Sequence, residues 1–220
     1  MKTGAFFLLL LLAVPQGFCQ KGIDLGGDKL LIEIFNPSQI QGLESIVRYV
    51  DHRVLEGRDT ADANEAYHLF LEEMALFNDK AAKPPGDKVP FQEEEKYKFL
   101  EAVDASLFNA VWKFEDHSGV LRYKDTVYRN LKNFKSLKLR PFGKYMDYMG
   151  EIGKNDPYFL SLRKQMGDVG NLSAGSAYGF VKNHANFDFN VPKNRLWAAI
   201  YLISIEEDYE TKLDRYFKAQ

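Results

Sequence analysis

The sequence predicts a mainly α-helical fold, a single globular domain of about seven or eight helices with little or no sheet. Helix starts marked by a capping side chain or an early proline recur at Asn36-Pro37-Ser38, at Asp156-Pro157 and at Pro192. Apolar residues repeat at helical spacing after these starts. Strand character is confined to residues 29–35 (KLLIEIF), in a lead-in segment over residues 20–35. These features favour a helical domain over residues 36–220.

The elements follow in chain order. Asn36 caps the first helix and Gly57 ends it, while Thr60 caps a second helix that runs to about Asn78. Further helices are predicted over 91–115, 120–137, a short segment ending near 152, 157–167, a small-residue stretch at 173–184 that is either helix or loop, and 192–217.

The first 19 residues are predicted to be a cleaved signal peptide. Lys2 precedes an apolar run from Ala5 to Val14, which is too short to span a bilayer, since a spanning helix needs about 20 residues. Gly17 and Cys19 are small side chains at the positions that signal peptidase reads. The mature chain would then begin at Gln20.

The alternative is a lipid anchor on Cys19, the single cysteine of the chain. Bulky Phe18 directly before it disfavours that alternative. A mature chain without cysteine must rely on core burial in an oxidising compartment, which favours a periplasmic or secreted protein that is not integral to the membrane. Asn171 begins an Asn-Leu-Ser glycosylation sequon, which matters only in a eukaryotic host.

The charge balance excludes one class of partner. Removal of residues 1–19 takes one lysine and leaves 28 basic against 31 acidic residues. Because nucleic-acid binding rests on clustered positive charge, we expect no nucleic-acid partner.

A metal site is the most specific chemical alternative. Glu65, His68 and Glu72 recur at positions i, i+3 and i+7 of the second helix, and an antiparallel first helix would bring His52 near Glu65. The helical wheel disfavours the site, because these residues lie away from the apolar stripe and a second Glu-x-x-His is missing. We therefore expect neither a metal nor another cofactor.

A basic segment supplies the first candidate for ligand binding. Residues 120–145 hold eight basic residues against one acid, Asp125. On a helix over 120–137, Arg129, Lys132 and Lys135 would form a basic outer face able to bind an anionic envelope component or another protein. The alternative is that these residues pair with the chain's own acidic segments near 93–101 and 206–210.

An aromatic segment supplies the second candidate. Tyr145 and Tyr148, together with residues 155–160 (NDPYFL), either wall an apolar groove or form core. Gly175 and Gly179 in the small-residue stretch favour close packing of a neighbouring backbone.

Enzyme signatures are weak. Ser161-x-x-Lys164 lacks the partner motifs of penicillin-recognising enzymes. The expectation is an exported cell-envelope binding module for an anionic or apolar ligand. The alternative is an envelope hydrolase, for example one directed at glycans, that uses a carboxylate pair.

Overall fold

The computed structural model describes residues 22–81, 89–117, 119–123, 125–170 and 172–218. The protein is mostly helical, with 62% of its residues in helices and 10% in strands. The predicted mainly helical class is thus confirmed, although the described part holds ten α-helices and two small sheets. Residues 1–21 and Asn171 lie outside the described residues, so cleavage, lipidation at Cys19 and glycosylation stay predictions.

The bounds of the elements are as follows. The helices are α1 (Lys29–Ile34), α2 (Pro37–Leu55), α3 (Ala63–Ala81), α4 (Glu93–Ala102), α5 (Ala105–Val111), α6 (Lys144–Gly153), α7 (Pro157–Val169), α8 (Ala174–Lys182), α9 (Pro192–Ser204) and α10 (Tyr209–Lys218). A 3₁₀ turn covers His184–Asn186, and the strands are β1 (Trp112–Asp116), β2 (Val120–Tyr123), β3 (Thr126–Arg129) and β4 (Lys135–Leu139). No helix in the described ranges combines the length and the apolar character that crossing a membrane requires.

The start of α2 shows why its bounds were predictable. The Asn36 side chain accepts a hydrogen bond from the backbone N–H of Gln39 at 2.8 Å, and the Gln39 side chain accepts one from the Asn36 N–H at 3.2 Å. This reciprocal capping box, with Pro37 in the first turn, satisfies N–H groups that lack a helical partner. Gly57 takes a φ of +72° just beyond the helix, a conformation that glycine adopts without strain.

The core is organised around α9. Each residue from Asn194 to Ile203 is buried, so this helix is enclosed on all sides. It packs against α2, whose apolar stripe is fully buried. Inside this contact Arg195 donates to both carboxylate oxygens of Asp51, at 3.0 and 2.6 Å, and the Tyr67 hydroxyl donates to the same carboxylate at 3.0 Å. Both oxygens of the buried carboxylate are therefore hydrogen-bonded, which offsets the cost of burying its charge.

The prediction of a helix over 120–137 is wrong. Residues 120–129 form an antiparallel pair of strands, β2 with β3, and β4 pairs antiparallel with β1. Asn130 and Asn133 take positive φ values of 51° and 61°, which no α-helix accommodates and which asparagine tolerates better than most residues. The alternation of exposed Arg122 with buried Tyr123 is the strand pattern.

Two long predicted helices are divided by aspartate caps. Over 91–115 the helix ends at Ala102, because Asp104 accepts from the backbone N–H groups at the start of α5. The chain then extends into β1 at Trp112. Over 192–217 the helix ends at Ser204, and Asp208 caps α10 by accepting from the Thr211 N–H at 2.9 Å. A polar side chain that competes for backbone N–H groups ends each helix.

The strand character of residues 29–35 is also overridden. Asp28 caps α1 by accepting from the N–H of Leu30 at 2.9 Å. Leu31 and Phe35, one helical turn apart, are both buried in the core. Burial at helical spacing thus decides the conformation of a short apolar run, which periodicity alone leaves open.

A second, smaller apolar cluster joins the hairpin β2–β3 to α10. Its buried members are Tyr123, Phe134 and Leu213, flanked by the rings of Tyr216 and Phe217. Beside it lies a group of charged residues that is mostly buried. Its members are Glu93, Lys96, Glu206, Glu207, Lys212 and Arg215.

Candidate ligand-binding cavity

An open cavity of about 430 Å³ lies between α7, α8, the 3₁₀ turn and the start of α9. This volume falls in the range of small-molecule sites, roughly 300–1,000 Å³. Its lining combines hydroxyls, side-chain amides, aromatic rings and one pair of opposite charges. The lining residues are Asp156, Tyr158, Ser161, Leu162, Gln165, Ser176, Gly179, Phe180, Asn183, Asn186, Phe187, Lys193 and Asn194.

The ion pair lies where two helices begin. Asp156 caps α7 by accepting from the backbone N–H of Tyr158 at 3.1 Å. Lys193, in the first turn of α9, donates to the other oxygen of Asp156 at 2.6 Å. Burial opposes ionisation, but the Lys193 ammonium and the backbone N–H groups of Tyr158 and Phe159 hold the pKa of Asp156 below its ordinary value. The carboxylate is thus ionised and neutralised in place.

An aromatic wall closes one side of the cavity. The Tyr158 and Phe187 rings meet edge to face with centroids 4.8 Å apart, and Phe180 meets Phe187 in the same way at 5.1 Å. The Tyr158 oxygen accepts from the indole N–H of Trp197 at 3.0 Å. Burial raises the pKa of Tyr158, so the phenol keeps its proton, which remains for donation. The wall is thus packed by ring contacts and by the bond from Trp197.

The polar rim comes from side-chain amides and serines. Asn183 donates to the Gly179 carbonyl at 2.8 Å, and Asn194 donates to the Asp188 carbonyl at 3.0 Å. The Ser176 hydroxyl donates to Oε1 of Gln165. These bonds use one N–H of each asparagine and the oxygen of Gln165. Among the described residues, the oxygens of both asparagines and the NH₂ of Gln165 make no further hydrogen bond, so they are available as acceptors and donors.

The three predicted basic residues do not share a helical face. Arg129 ends β3 and Lys132 lies in the following turn, and both are exposed. Lys135 lies on β4, where it pairs with Glu101 at 2.8 Å and stands 4.1 Å over the Phe114 ring. Lys135 is therefore bound within the molecule, to the acidic segment near 93–101 that is the predicted alternative.

The predicted aromatic residues are divided between core and cavity. Tyr145 and Tyr148 of α6 are each 1% exposed, and the Tyr148 hydroxyl donates to Asp28 at 2.8 Å. They are core residues rather than the wall of a groove. In residues 155–160, by contrast, Asp156 and Tyr158 both line the cavity.

The candidate metal ligands do not form a cluster. Within the described ranges no group of three or more His, Cys, Asp or Glu side chains is arranged to hold a metal ion. Glu65 accepts from the Thr60 hydroxyl at 2.7 Å, and Glu72 is exposed. His68 meets His184, with 3.1 Å between the two Nδ1 atoms, and not the predicted partner helix α2.

Sequence reasoning missed most of the cavity. Gln165, Lys193 and Asn194 carry no motif, and they come from helices that are separate in the chain. The helix-start signal at Asp156-Pro157 and the small residue Gly179 are visible in the sequence, but they indicate a cap and close packing rather than a cavity.

Comparisons of this chain with protein-family models, with curated proteins and with solved structures find no match.

Proposed function

We propose that this protein is an exported cell-envelope binding module and that its ligand is a short, neutral saccharide bound in the cavity. The observation that carries the proposal is the lining, where amide oxygens, an amide NH₂ and hydroxyls accompany a packed aromatic wall. A saccharide presents the matching chemistry, since its hydroxyls both donate and accept while its C–H faces are apolar.

The charge of the lining favours a neutral ligand. Its two charged side chains, Asp156 and Lys193, already neutralise each other at 2.6 Å. An anionic ligand would have to separate Lys193 from the carboxylate, which would leave Asp156 partly buried without its cation. The proposal therefore replaces the anionic ligand expected from the basic segment over 120–145 with an uncharged one.

The carboxylate-pair hydrolase receives less support. Hydrolysis of a glycosidic bond uses two carboxyl groups that face each other across about 5–9.5 Å, one of them protonated. Asp156 is the one carboxylate among the lining residues, and its lowered pKa keeps it ionised. Among the described residues, Glu93 and Glu207 are bound by Lys212 and Arg215, away from this cavity.

A pair of glycine variants tests the proposal. Gly179 lines the cavity, and a Cβ added there meets no atom within 4 Å; the same is true of Gly150 on α6, which does not line it. Gly179→Leu fills the cavity, whereas Gly150→Leu is the matched control. Both should gain stability by roughly 0.5–1 kcal/mol, because leucine favours a helix more than glycine does.

Binding is measured by titration calorimetry on residues 20–220, with neutral glucosyl, galactosyl and N-acetylhexosamine disaccharides as probes. We expect binding by at least one probe, a loss of at least tenfold in Gly179→Leu and no change in Gly150→Leu. Binding of no probe below 10 mM would overturn the saccharide. Equal binding by Gly179→Leu would overturn the cavity as the site.

A further inference from the structure

Two histidines meet beside the cavity. His68 lies on α3 and His184 begins the 3₁₀ turn, with 3.1 Å between their Nδ1 atoms. Both rings are half-buried, and the Phe189 ring packs against His68 with centroids 5.0 Å apart. At this separation one Nδ1 donates a hydrogen to the other, so one ring carries its proton on Nδ1 and the other carries it on Nε2.

This contact fastens the cavity wall to α3. His184 directly follows Asn183 and precedes Asn186 and Phe187, and these three neighbours line the cavity. A second bond fixes the same segment, since the backbone N–H of Phe189 donates to Asn64 of α3 at 2.6 Å. Two hydrogen bonds to α3 therefore flank residues 185–188, and one of them involves titratable groups.

The protonation chemistry of the pair is asymmetric. A first added proton binds the free Nε2 of the donor ring and leaves the Nδ1–H···Nδ1 bond intact. A second proton has to bind the acceptor Nδ1, which breaks the bond and places two cations side by side. The pair thus holds together with one added proton and separates with two.

We propose that His68 and His184 form a proton-controlled contact that holds residues 183–187 in place near neutral pH and releases them on acidification. A role of this contact in regulating ligand binding rests on the proposed function of the cavity. The pH-dependent change in conformation is argued from the geometry alone.

The electrostatics of His184 agree with this proposal. Burial, and then the neighbouring His68, lower the pKa of His184 below its ordinary value of 6.5, while the Glu72 carboxylate acts in the opposite direction. A histidine with a lowered folded-state pKa binds fewer protons than in the unfolded chain, so the folded arrangement loses stability as the pH falls below about 6.5.

Other charged groups near the turn are bound elsewhere. Lys182 donates to the Tyr178 hydroxyl at 3.1 Å, and the Asp188 carboxylate accepts from the Asn190 N–H at 2.9 Å. Facing His184 from α3 are His68 and Glu72. One nearby carboxylate cannot neutralise two imidazolium rings, so the doubly protonated pair stays unfavourable.

The test uses His68→Asn on ligand-free residues 20–220. The asparagine amide reaches the position of Nδ1 and either donates to neutral His184 or accepts from protonated His184, so its contact persists at any pH. His184→Asn is the reciprocal variant. His52→Asn, an exposed histidine on α2, is the matched control. Hydrogen-exchange protection of the Phe187 and Phe189 amides is compared between pH 7.5 and pH 5.5.

We expect protection in the natural sequence and in His52→Asn to fall at least tenfold at the lower pH, with less than a threefold fall in His68→Asn and His184→Asn. The ring resonances of His184 should shift over the same pH range as the loss of protection. An equal fall in His68→Asn, or none in the natural sequence, would overturn the proposal. So would one equivalent of Zn²⁺ that shifts both rings at 1:1 stoichiometry, since the pair would then be a metal site.

Because this measurement uses no saccharide, a negative result would not count against the saccharide proposal. Failure to bind a saccharide would likewise not count against the proton-controlled contact. If both proposals hold, saccharide affinity falls between pH 7.5 and pH 5.5 in the natural sequence and stays constant in His68→Asn.

Discussion

The region around α9 and the region around α10 hold the chain together by different means. The α9 region is a broad apolar core with one enclosed ion pair, Arg195 with Asp51, beside the candidate cavity. The α10 region has a small apolar cluster and a dense group of buried charges. The two regions should therefore respond to different changes, the α9 region to the loss of apolar side chains and the α10 region to the loss of charge pairs.

The largest effect should come from truncating the α9 core. Leu196→Ala removes a fully buried side chain and should lower the free energy of unfolding by about 2–5 kcal/mol, since a cavity is left. Leu160→Ala is the matched control, because Leu160 of α7 is 55% exposed and should cost less than about 0.5 kcal/mol. Urea denaturation checks both. Equal effects would mean that α9 is not the centre of the core.

Breaking the charged group near α10 should come next. Lys212 is buried and donates to Glu93 at 2.9 Å, and Arg215 also pairs with that carboxylate. Lys212→Met should cost about 3 kcal/mol, because it leaves Glu93 buried with one cation fewer.

The double variant Lys212→Met with Glu93→Gln should cost less than the sum of the single changes, which a double-mutant cycle measures. Additive costs would contradict a coupled pair. Lys113→Met at the partly exposed Lys113–Glu115 pair is the control and should cost less than about 1 kcal/mol.

The pH dependence of stability separates the two regions further. Burial lowers the pKa of Lys96 to about 8, against 10.5 in the unfolded chain. The unfolded chain then binds more protons between these values, so stability should rise with pH from about 8 towards 10.

We expect a rise of about 1–2 kcal/mol between pH 8 and pH 9.5 from this one group. Lys96→Met should abolish the rise, whereas Lys98→Met, an exposed neighbour on α4, should keep it. Denaturation midpoints at several pH values measure it. A rise that survives Lys96→Met would assign it to another group.

The smallest effect concerns the basic residues of the hairpin region. Arg129→Gln and Lys132→Gln should each change stability by less than about 0.5 kcal/mol, since both side chains are exposed. Lys135→Gln should cost about 1 kcal/mol, because it removes the pair with Glu101 and the contact with Phe114. Thermal melts at two salt concentrations compare the three. A Lys135 effect no larger than the others would show that its pairing contributes nothing.

The helix starts that depend only on neighbouring residues could be predicted from the sequence. The caps at Asn36 and Asp156 need only neighbouring residues, and they were predicted correctly. The prediction of a helix over 120–137 was wrong because the positive φ values at Asn130 and Asn133, between β3 and β4, leave no sign in the spacing of apolar residues. The apolar residues of 120–137 fit helical spacing as well as strand spacing. The helix is excluded by the long-range pairing of β1 with β4.

The cavity was missed for a related reason. Its lining is drawn from four elements between Asp156 and Asn194, each contributing a few polar residues that look like ordinary helix surface. Tyr145 and Tyr148 belong to the core. Their spacing is the same for a core face as for the wall of a groove, so the sequence could not distinguish the two. Sequence periodicity shows that a face is apolar, but the element packed against that face decides whether it becomes core or the wall of a groove.

The central claim is that the cavity between α7, α8 and α9 holds the ligand. The most direct test is a nuclear magnetic resonance titration of ¹⁵N-labelled residues 20–220 with the same disaccharides, following the side-chain amides. The account predicts that Gln165, Asn183, Asn186 and Asn194 shift together and saturate, while the exposed hairpin around Arg129 stays unchanged. Shifts confined to that hairpin, or spread without saturation, would contradict it.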